Sequence, residues 1–406
     1  LPLVVLIEDL HWIDTESEFV LQRLVESVAP HRILIVLTYR PEYRNLWMQF
    51  GTCQQLRLDP FDAGETAAFL DTLLGCDPSL DALKPMLAAH TDQTPLFLEE
   101  TVRALAENGD IVGLPGAYVA GGEITEIVLS DNVQALISAR IDRLSPEHRR
   151  VLQIASVIGK EVPDRLLRDL APLPAEDLDR AIRRLKSKEF LFELQSIPSV
   201  QYTFKHALTH RVTYATLLAA DRKALHLAAL RAIEARHAGA LVEHAEKLAD
   251  HAMRGEAWES AAHYLLETAD RAVERSAYDM AADFLRQAEQ AVQSMPDSPR
   301  RMELSIDICT RIRPVYSIIG SLQGVTEKLA QARADAVTLG DRERLCRILV
   351  HQSYFLSTRG TLEEGLESAG ALKQLARELG NGGERYACEA ALAAAQAHLM
   401  RADARA

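Results

Sequence analysis

The 406-residue chain reads as a mainly α, multidomain protein. Three observations carry that reading. Two wholly apolar, β-branched runs flank a helical stretch between Leu3 and Thr38, which describes a small α/β portion. Helical segments followed by a short apolar hairpin occupy residues 133–215. Beyond Tyr214 the pattern is helical and repeats itself, as in an α-solenoid. A chain of this length exceeds one ordinary core and divides into about two to four domains.

The first run, Leu3-Val4-Val5-Leu6-Ile7, predicts a strand buried on both faces, inside a parallel sheet covered by helices. Val20, Leu21, Leu24, Val25 and Val28 then recur at helical spacing, and Pro30 closes that helix. Arg32 to Thr38 predicts the second strand. A strand–helix–strand crossover brings both strand ends to one sheet edge, so Glu8, Asp9, Thr38 and Arg40 share a crevice. Gln55 to Leu58 reads as a short third strand. Asp62 with Glu65 has the spacing of a capping box. Residues Ala63 to Asn108 are helical, broken at Asp77-Pro78 and at Asp92-Gln93-Thr94-Pro95. Pro95 suits a first helical turn. Gly113 to Gly122 is a loop or short hairpin between domains.

Val133 to Leu144 is helical, and Ser145-Pro146 is an N-cap followed by proline at the first helical position. Val162-Pro163 reads as the start of a short helix. A further helix spans Ala175 to Lys188. The apolar runs Phe190–Leu194 and Val200–Phe204 complete three helices and a hairpin, a winged helix. In the repeats, Trp258 to Leu265 is echoed by Tyr278 to Leu285. Gly320-Ser321-Leu322 with Leu339-Gly340-Asp341 is echoed by Gly360-Thr361-Leu362 with Leu379-Gly380-Asn381, a 40-residue interval. That exceeds the ~34 residues of a tetratricopeptide repeat (TPR) but suits a two-helix unit. The array is expected to continue past Ala406, since no polar capping helix ends it.

Composition limits function. The net charge of -13 argues against broad binding to DNA or anionic membrane. Cys53, Cys76, Cys309, Cys346 and Cys388 are scattered, with no disulfide framework or zinc spacing, which fits a reducing, cytoplasmic setting. No apolar run has the length of a membrane span, and no signal peptide is visible. The chain opens on Leu1-Pro2 inside a strand, and we expect a fragment whose N-terminus lies upstream.

Carboxylates at the end of a buried parallel strand are the pattern of the Walker B acid in P-loop NTPases, which holds Mg²⁺ against phosphates. Glu8 and Asp9 can divide the work between metal and attacking water. Asp14 fits a helix cap better than a ligand. Thr38 can sense a γ-phosphate, and Arg40 can compensate its charge or pair with Glu8 or Glu42. No Walker A motif exists: the single Gly-Lys pair, Gly159-Lys160, is followed by Glu161, and Ile154 stands where the first glycine belongs. The chain alone is therefore expected to bind nucleotide poorly. His206 and His210 share a helix face, but Ala207 stands where a zinc motif needs glutamate. Arg180, Arg183, Arg184, Lys186 and Lys188 give the helix from Ala175 a basic face, read as solvated rather than DNA-reading.

These motifs, in order, resemble a known family. Leu6-Ile7-Glu8-Asp9-Leu10-His11-Trp12-Ile13-Asp14 looks like the extended Walker B of STAND-type signalling ATPases, and Leu37-Thr38-Tyr39-Arg40-Pro41-Glu42 like their sensor strand. Pro95 to Glu100, Ala139 to Pro146 with Ala155 to Lys160, and Phe204 to Leu208 resemble the AAA-type ATPase region of bacterial adenylate/guanylate cyclase-like proteins. The resemblance covers about residues 1–290. It implies part of a P-loop NTPase core at 1–60, a helical lid at 61–110, a linker at 111–132, a winged helix at 133–215 and TPR-like repeats at 216–406. It implies ATP/ADP and Mg²⁺ as ligands, with Glu8 and Asp9 at metal and water and Arg40 as sensor. Pro95 would lie in the loop beside the adenine, and His206 would contact a phosphate in the closed, ADP-bound state. The family shows Gly-Asn-Pro where this chain has Gln93-Thr94-Pro95. A protein partner or small effector on the repeats, nucleotide-dependent self-association and an upstream class III cyclase domain are further implications. The alternatives are a LuxR-type ATP-dependent transcriptional regulator and a TPR scaffold with a decayed ATPase. Direct DNA contact by this chain is not expected.

Overall fold

The structure, a computed structural model, describes residues 2–43, 53–91, 93–122, 132–194, 200–320 and 324–403. The chain forms two compact units, Leu1–Leu136 and Ile137–Ala406, each considered by itself.

The first unit opens with strand β1 (Leu3–Ile7), helix α1 (Thr15–Ser27) and strand β2 (Ile33–Leu37). The strands pair in parallel, from Leu3 opposite Ile33 to Ile7 opposite Leu37. Asp14 starts α1 by accepting a hydrogen bond from the Ser17 N–H at 2.9 Å, as its cap spacing predicts. Strand side chains alternate between faces. Ile7, Ile35 and Leu37 pack against Leu10, Leu21 and Val25. The other set stands bare: Val4 is 64%, Leu6 58% and Leu34 59% exposed. The expectation of a sheet covered on both faces is therefore met on one face only among the described residues. The third strand does not form. Residues 53–60 carry no strand, and Leu56 and Leu58 are 81% and 88% exposed. An extended run with no ladder partner leaves its N–H and C=O groups to water and its apolar face uncovered.

Helices α2 (Ala63–Leu74), α3 (Leu83–His90) and α4 (Pro95–Asn108) follow, then the hairpin β3 (Ile111–Leu114) and β4 (Ala117–Ala120). The Asp62–Glu65 capping box is complete in both directions. Leu70, Leu74, Leu80, Leu83, Leu87, Leu98, Val102, Leu105 and Ile111 make one core. On α4, Glu100 is buried and paired to Arg103 at 2.5 Å.

Helix α5 (Val133–Asp142) leads into the second unit. There α6 (Pro146–Ile158), β5 (Glu161–Pro163), α7 (Asp164–Leu170), α8 (Ala175–Ser187), β6 (Leu191–Leu194) and β7 (Gln201–Phe204) form a winged helix. Its antiparallel sheet has the order β5-β7-β6. Val162-Pro163 is thus a strand against β7 rather than a helix start. Three residues are too few to show a period, and the helix begins one residue later. Ser145 caps α6.

The array comprises α9 (Ala207–Ala215), α10 (Ala219–Arg236), α11 (Ala245–Arg254), α12 (Trp258–Glu274), α13 (Tyr278–Gln293), α14 (Pro299–Ile319), α15 (Val325–Leu339), α16 (Arg342–Thr358), α17 (Leu362–Glu378) and α18 (Glu384–Asp403). One buried cluster runs from Leu166 through the array to Phe355, filled largely by alanine and leucine. The corners repeat as well. Gly320, Gly340, Gly360 and Gly380 all hold positive φ, twenty residues apart, and Glu256 and Ser276 take the same conformation with the same spacing. The 40-residue period is two helix-plus-corner steps. Among the described residues no helix is long and apolar enough to cross a membrane.

Candidate functional site

The sheet edge after β1 and β2 is built by backbone. The Thr38 N–H bonds the Ile7 carbonyl at 3.0 Å, and the Leu10 N–H bonds the Thr38 carbonyl at 2.9 Å. Between these, the Asp9 N–H donates to Thr38 Oγ1 at 3.0 Å. The chain turns sharply here. Asp9 has φ 58° and ψ 39°, a left-handed conformation that aspartate tolerates through its short polar side chain. A 3-10 turn, Leu10–Trp12, follows at once. Leu10 is buried as its anchor, while Glu8 and Asp9 remain exposed.

Glu8, Asp9 and Thr38 therefore come together at one edge, as the crossover predicts. Arg40 lies two residues beyond Thr38 and is exposed; among the described residues it makes no ion pair with Glu8 or Glu42. The next turn is fixed by Tyr43, whose hydroxyl donates to Glu18 Oε1 on α1 at 2.6 Å. Burial and that carboxylate push the Tyr43 phenol up. Among the described residues no group of three or more metal-ligating side chains occurs. A Mg²⁺ that keeps its waters needs only one or two carboxylates plus substrate phosphates, and Glu8 with Asp9 can supply those.

His11 was absent from the sequence candidates. Both its ring nitrogens are buried with no hydrogen-bond partner among the described residues, and its ring lies 5.2 Å from that of Trp12. Its place next to the acidic pair is a signal only in hindsight, because histidine after a strand is common in cores. Trp12 is 78% exposed, unusual for a tryptophan.

Pro95 opens α4 as its first residue, with Thr94 at the N-cap. Gln93 has φ 56°, the region in which glycine is at ease. The backbone shape that glycine would favour is thus kept by glutamine, and the Phe61 N–H bonds its carbonyl at 3.2 Å.

In the second unit His206 is the N-cap residue of α9. His210 is not its metal partner. Its Nε2 meets the Ser156 carbonyl at 2.9 Å and its ring packs edge-on against Phe204. The α8 basic face is partly neutralised, Arg180 by Asp177 and Lys186 by Glu193, while Arg183 and Arg184 stay exposed. Arg140 is buried: its guanidinium lies 4.8 Å from the Phe190 ring centroid and donates to the Lys188 carbonyl at 3.0 Å.

No family model matches the chain. An uncharacterized protein, R02095, of Rhizobium meliloti (strain 1021) is 27% identical over 351 residues, which is 84% of this chain and 33% of that protein. The chain thus spans about a third of its relative's length. Among solved structures, a Signal Transduction ATPase with Numerous Domains (STAND) protein with a tetratricopeptide repeat sensor, from Pyrococcus horikoshii, overlays 98% of this chain on 65% of its own at 12% identity. The TM-score of that overlay is 0.37, too loose to bear on the argument.

Proposed function

We propose that this chain is the Walker B and effector-binding part of a nucleotide-dependent signalling switch of the STAND type. The observation that carries the reading is the β1–β2 edge. Two parallel strands end together, two carboxylates and a threonine meet there, and the Asp9–Thr38 hydrogen bond fixes the turn. The bare apolar face of the sheet, with Val4, Leu6 and Leu34 exposed, supports a covering layer beyond the described residues. A relative more than twice as long also agrees with this reading.

In this reading Glu8 and Asp9 hold Mg²⁺ and orient the attacking water. When bound, the metal would supply charge neutralisation on the nucleotide's phosphates. Thr38 positions the Asp9 turn through its hydroxyl, which accepts the Asp9 N–H. Arg40 faces the γ-phosphate as a charge sensor. Pro95 borders the adenine, and His206 on the winged helix contacts a phosphate in the closed state. The phosphate cradle lies outside this chain, which has no Walker A motif. Exchange of nucleotide shifts the population between closed and open states, and the TPR-like repeats bias that balance through a bound partner or effector. The output, by resemblance, is a class III nucleotide cyclase domain.

Two measurements test this. The chain by itself should show no ATP turnover, and clear turnover would refute the assignment of the cradle elsewhere. In the complete protein, Asp9→Asn should abolish hydrolysis and spare ATP binding. Unchanged hydrolysis would remove Asp9 from the reaction.

A further inference from the structure

On the face shared by α14 and α16 one arginine has no carboxylate among the described residues, and a second has only a shared one. Arg313 on α14 and Arg347 and His351 on α16 meet there. Arg347 pairs with Asp307 at 3.5 Å, and Arg344 draws on that same carboxylate at 3.3 Å. Arg344 also pairs with Asp341 at 2.7 Å. Arg313 pairs with no carboxylate among the described residues. The Tyr354 ring lies 6.0 Å from its guanidinium carbon, and the Tyr354 hydroxyl donates to Glu389 on α18 at 3.4 Å.

The polar atoms of this cluster are also unsatisfied. Arg313 Nε, Arg347 Nε and His351 Nδ1 are buried with no hydrogen-bond partner among the described residues. Buried polar nitrogens left without an acceptor are costly, and native proteins satisfy such groups or keep them for a ligand. Each of the three residues keeps part of its surface open, so the outer edges of the guanidinium and imidazole remain reachable. Arginine forks match the paired oxygens of carboxylate and phosphate.

We propose that Arg313, Arg347 and His351 form a binding site for a small oxyanion, a carboxylate- or phosphate-bearing effector, on the helical array. The bound anion would supply the acceptors that the face lacks and would tie α14 to α16. Two surrounding effects agree with this. Burial lowers the Arg313 guanidinium from its ordinary value. Burial, with Arg313 and Arg347 adding to it, holds His351 down to about 4. The site lies in the second unit and does not depend on the nucleotide reading.

The test uses the full chain, titrated with inorganic phosphate and separately with succinate, at ionic strength matched by chloride. Calorimetry and thermal unfolding are the readouts. A saturable heat and a rising Tm are expected with at least one oxyanion. Phosphate alone would identify a phosphoryl ligand, and succinate alone a carboxylate. Both responses should vanish in Arg313→Gln and in Arg347→Gln. In anion-free buffer Arg313→Met should melt higher than the parent chain, because a half-buried charge with no carboxylate partner is removed. No saturable response to either anion, responses that survive both Gln variants, or an Arg313→Met chain that melts lower would each overturn the proposal. Should Arg313→Gln not fold, the parent titration and Arg347→Gln still decide.

Discussion

The backbone N–H of Asp9 donates to the hydroxyl of Thr38 across 29 residues of sequence, at 3.0 Å. This bond holds the left-handed turn that presents both carboxylates at the strand edge. Thr38→Val keeps the shape of the side chain and deletes the acceptor. We expect a loss of about 1 kcal/mol in urea unfolding, the ordinary worth of one such bond. Thr38→Ser should retain most of it. Equal losses in both variants would mean that the methyl group, not the hydroxyl, matters here.

Gln93 carries positive φ in front of Pro95. For an L-residue with a side chain this costs about 1 kcal/mol relative to glycine in the same place. Gln93→Gly should raise the urea midpoint by a corresponding amount without changing the slope. A lower midpoint would show that side-chain contacts of Gln93 outweigh the relief.

Arg140 is buried against Phe190 and binds the Lys188 carbonyl. Arg140→Ala should destabilise the second unit by roughly 2–4 kcal/mol, through a cavity and the lost hydrogen bond to the Lys188 carbonyl. Arg140→Lys should recover little, because the planar contact with the ring is lost. Circular dichroism melts of the three proteins measure this ranking.

A hydrogen-bonded chain runs from the Tyr214 hydroxyl to His226 and on to His251, each link 2.9 Å. Burial first, then His251 and Arg254, lower His226 to about 4. Burial also lowers His210 and His251. The fold therefore disfavours protonation of these rings, whereas the unfolded chain takes up protons near pH ~6.5. As pH falls from there toward 4, the unfolded state binds protons that the native state refuses. Stability is therefore fully present above ~6.5 and declines through that window. From His226 alone the loss between pH 7.5 and 5 is about 2 kcal/mol. Denaturant midpoints across this range should fall with acid, and His226→Gln should flatten the slope.

Local chemistry was legible wherever a few residues decide the backbone. The Asp14 cap, the Asp62–Glu65 box, Pro95 and Ser145-Pro146 all stand where spacing placed them. The meeting of Glu8, Asp9 and Thr38 also followed from topology. What sequence could not show was partnership. Gln55 to Leu58 has the composition of a strand, but pairing is a property of two segments. Val4 and Leu6 read as buried because apolar residues ask for cover, yet the covering layer is not among the described residues. The Arg313–Arg347–His351 cluster has no spacing that announces it, since its members come from two helices with another helix between them. Gln93 reads as a lost glycine, yet the backbone keeps the glycine conformation.

The corners of the array return at 320, 340, 360 and 380, each with the same handedness. Each helix and its turn then form an interchangeable step, and two steps make a module that touches mainly its neighbours. Duplicating or deleting one such 40-residue module at a corner would leave the register of all the others intact. Length in this part of the molecule is a free variable, adjustable by recombination without redesign of a core, and the reach of its surface can change while the sheet edge that carries Glu8 and Asp9 stays as it is.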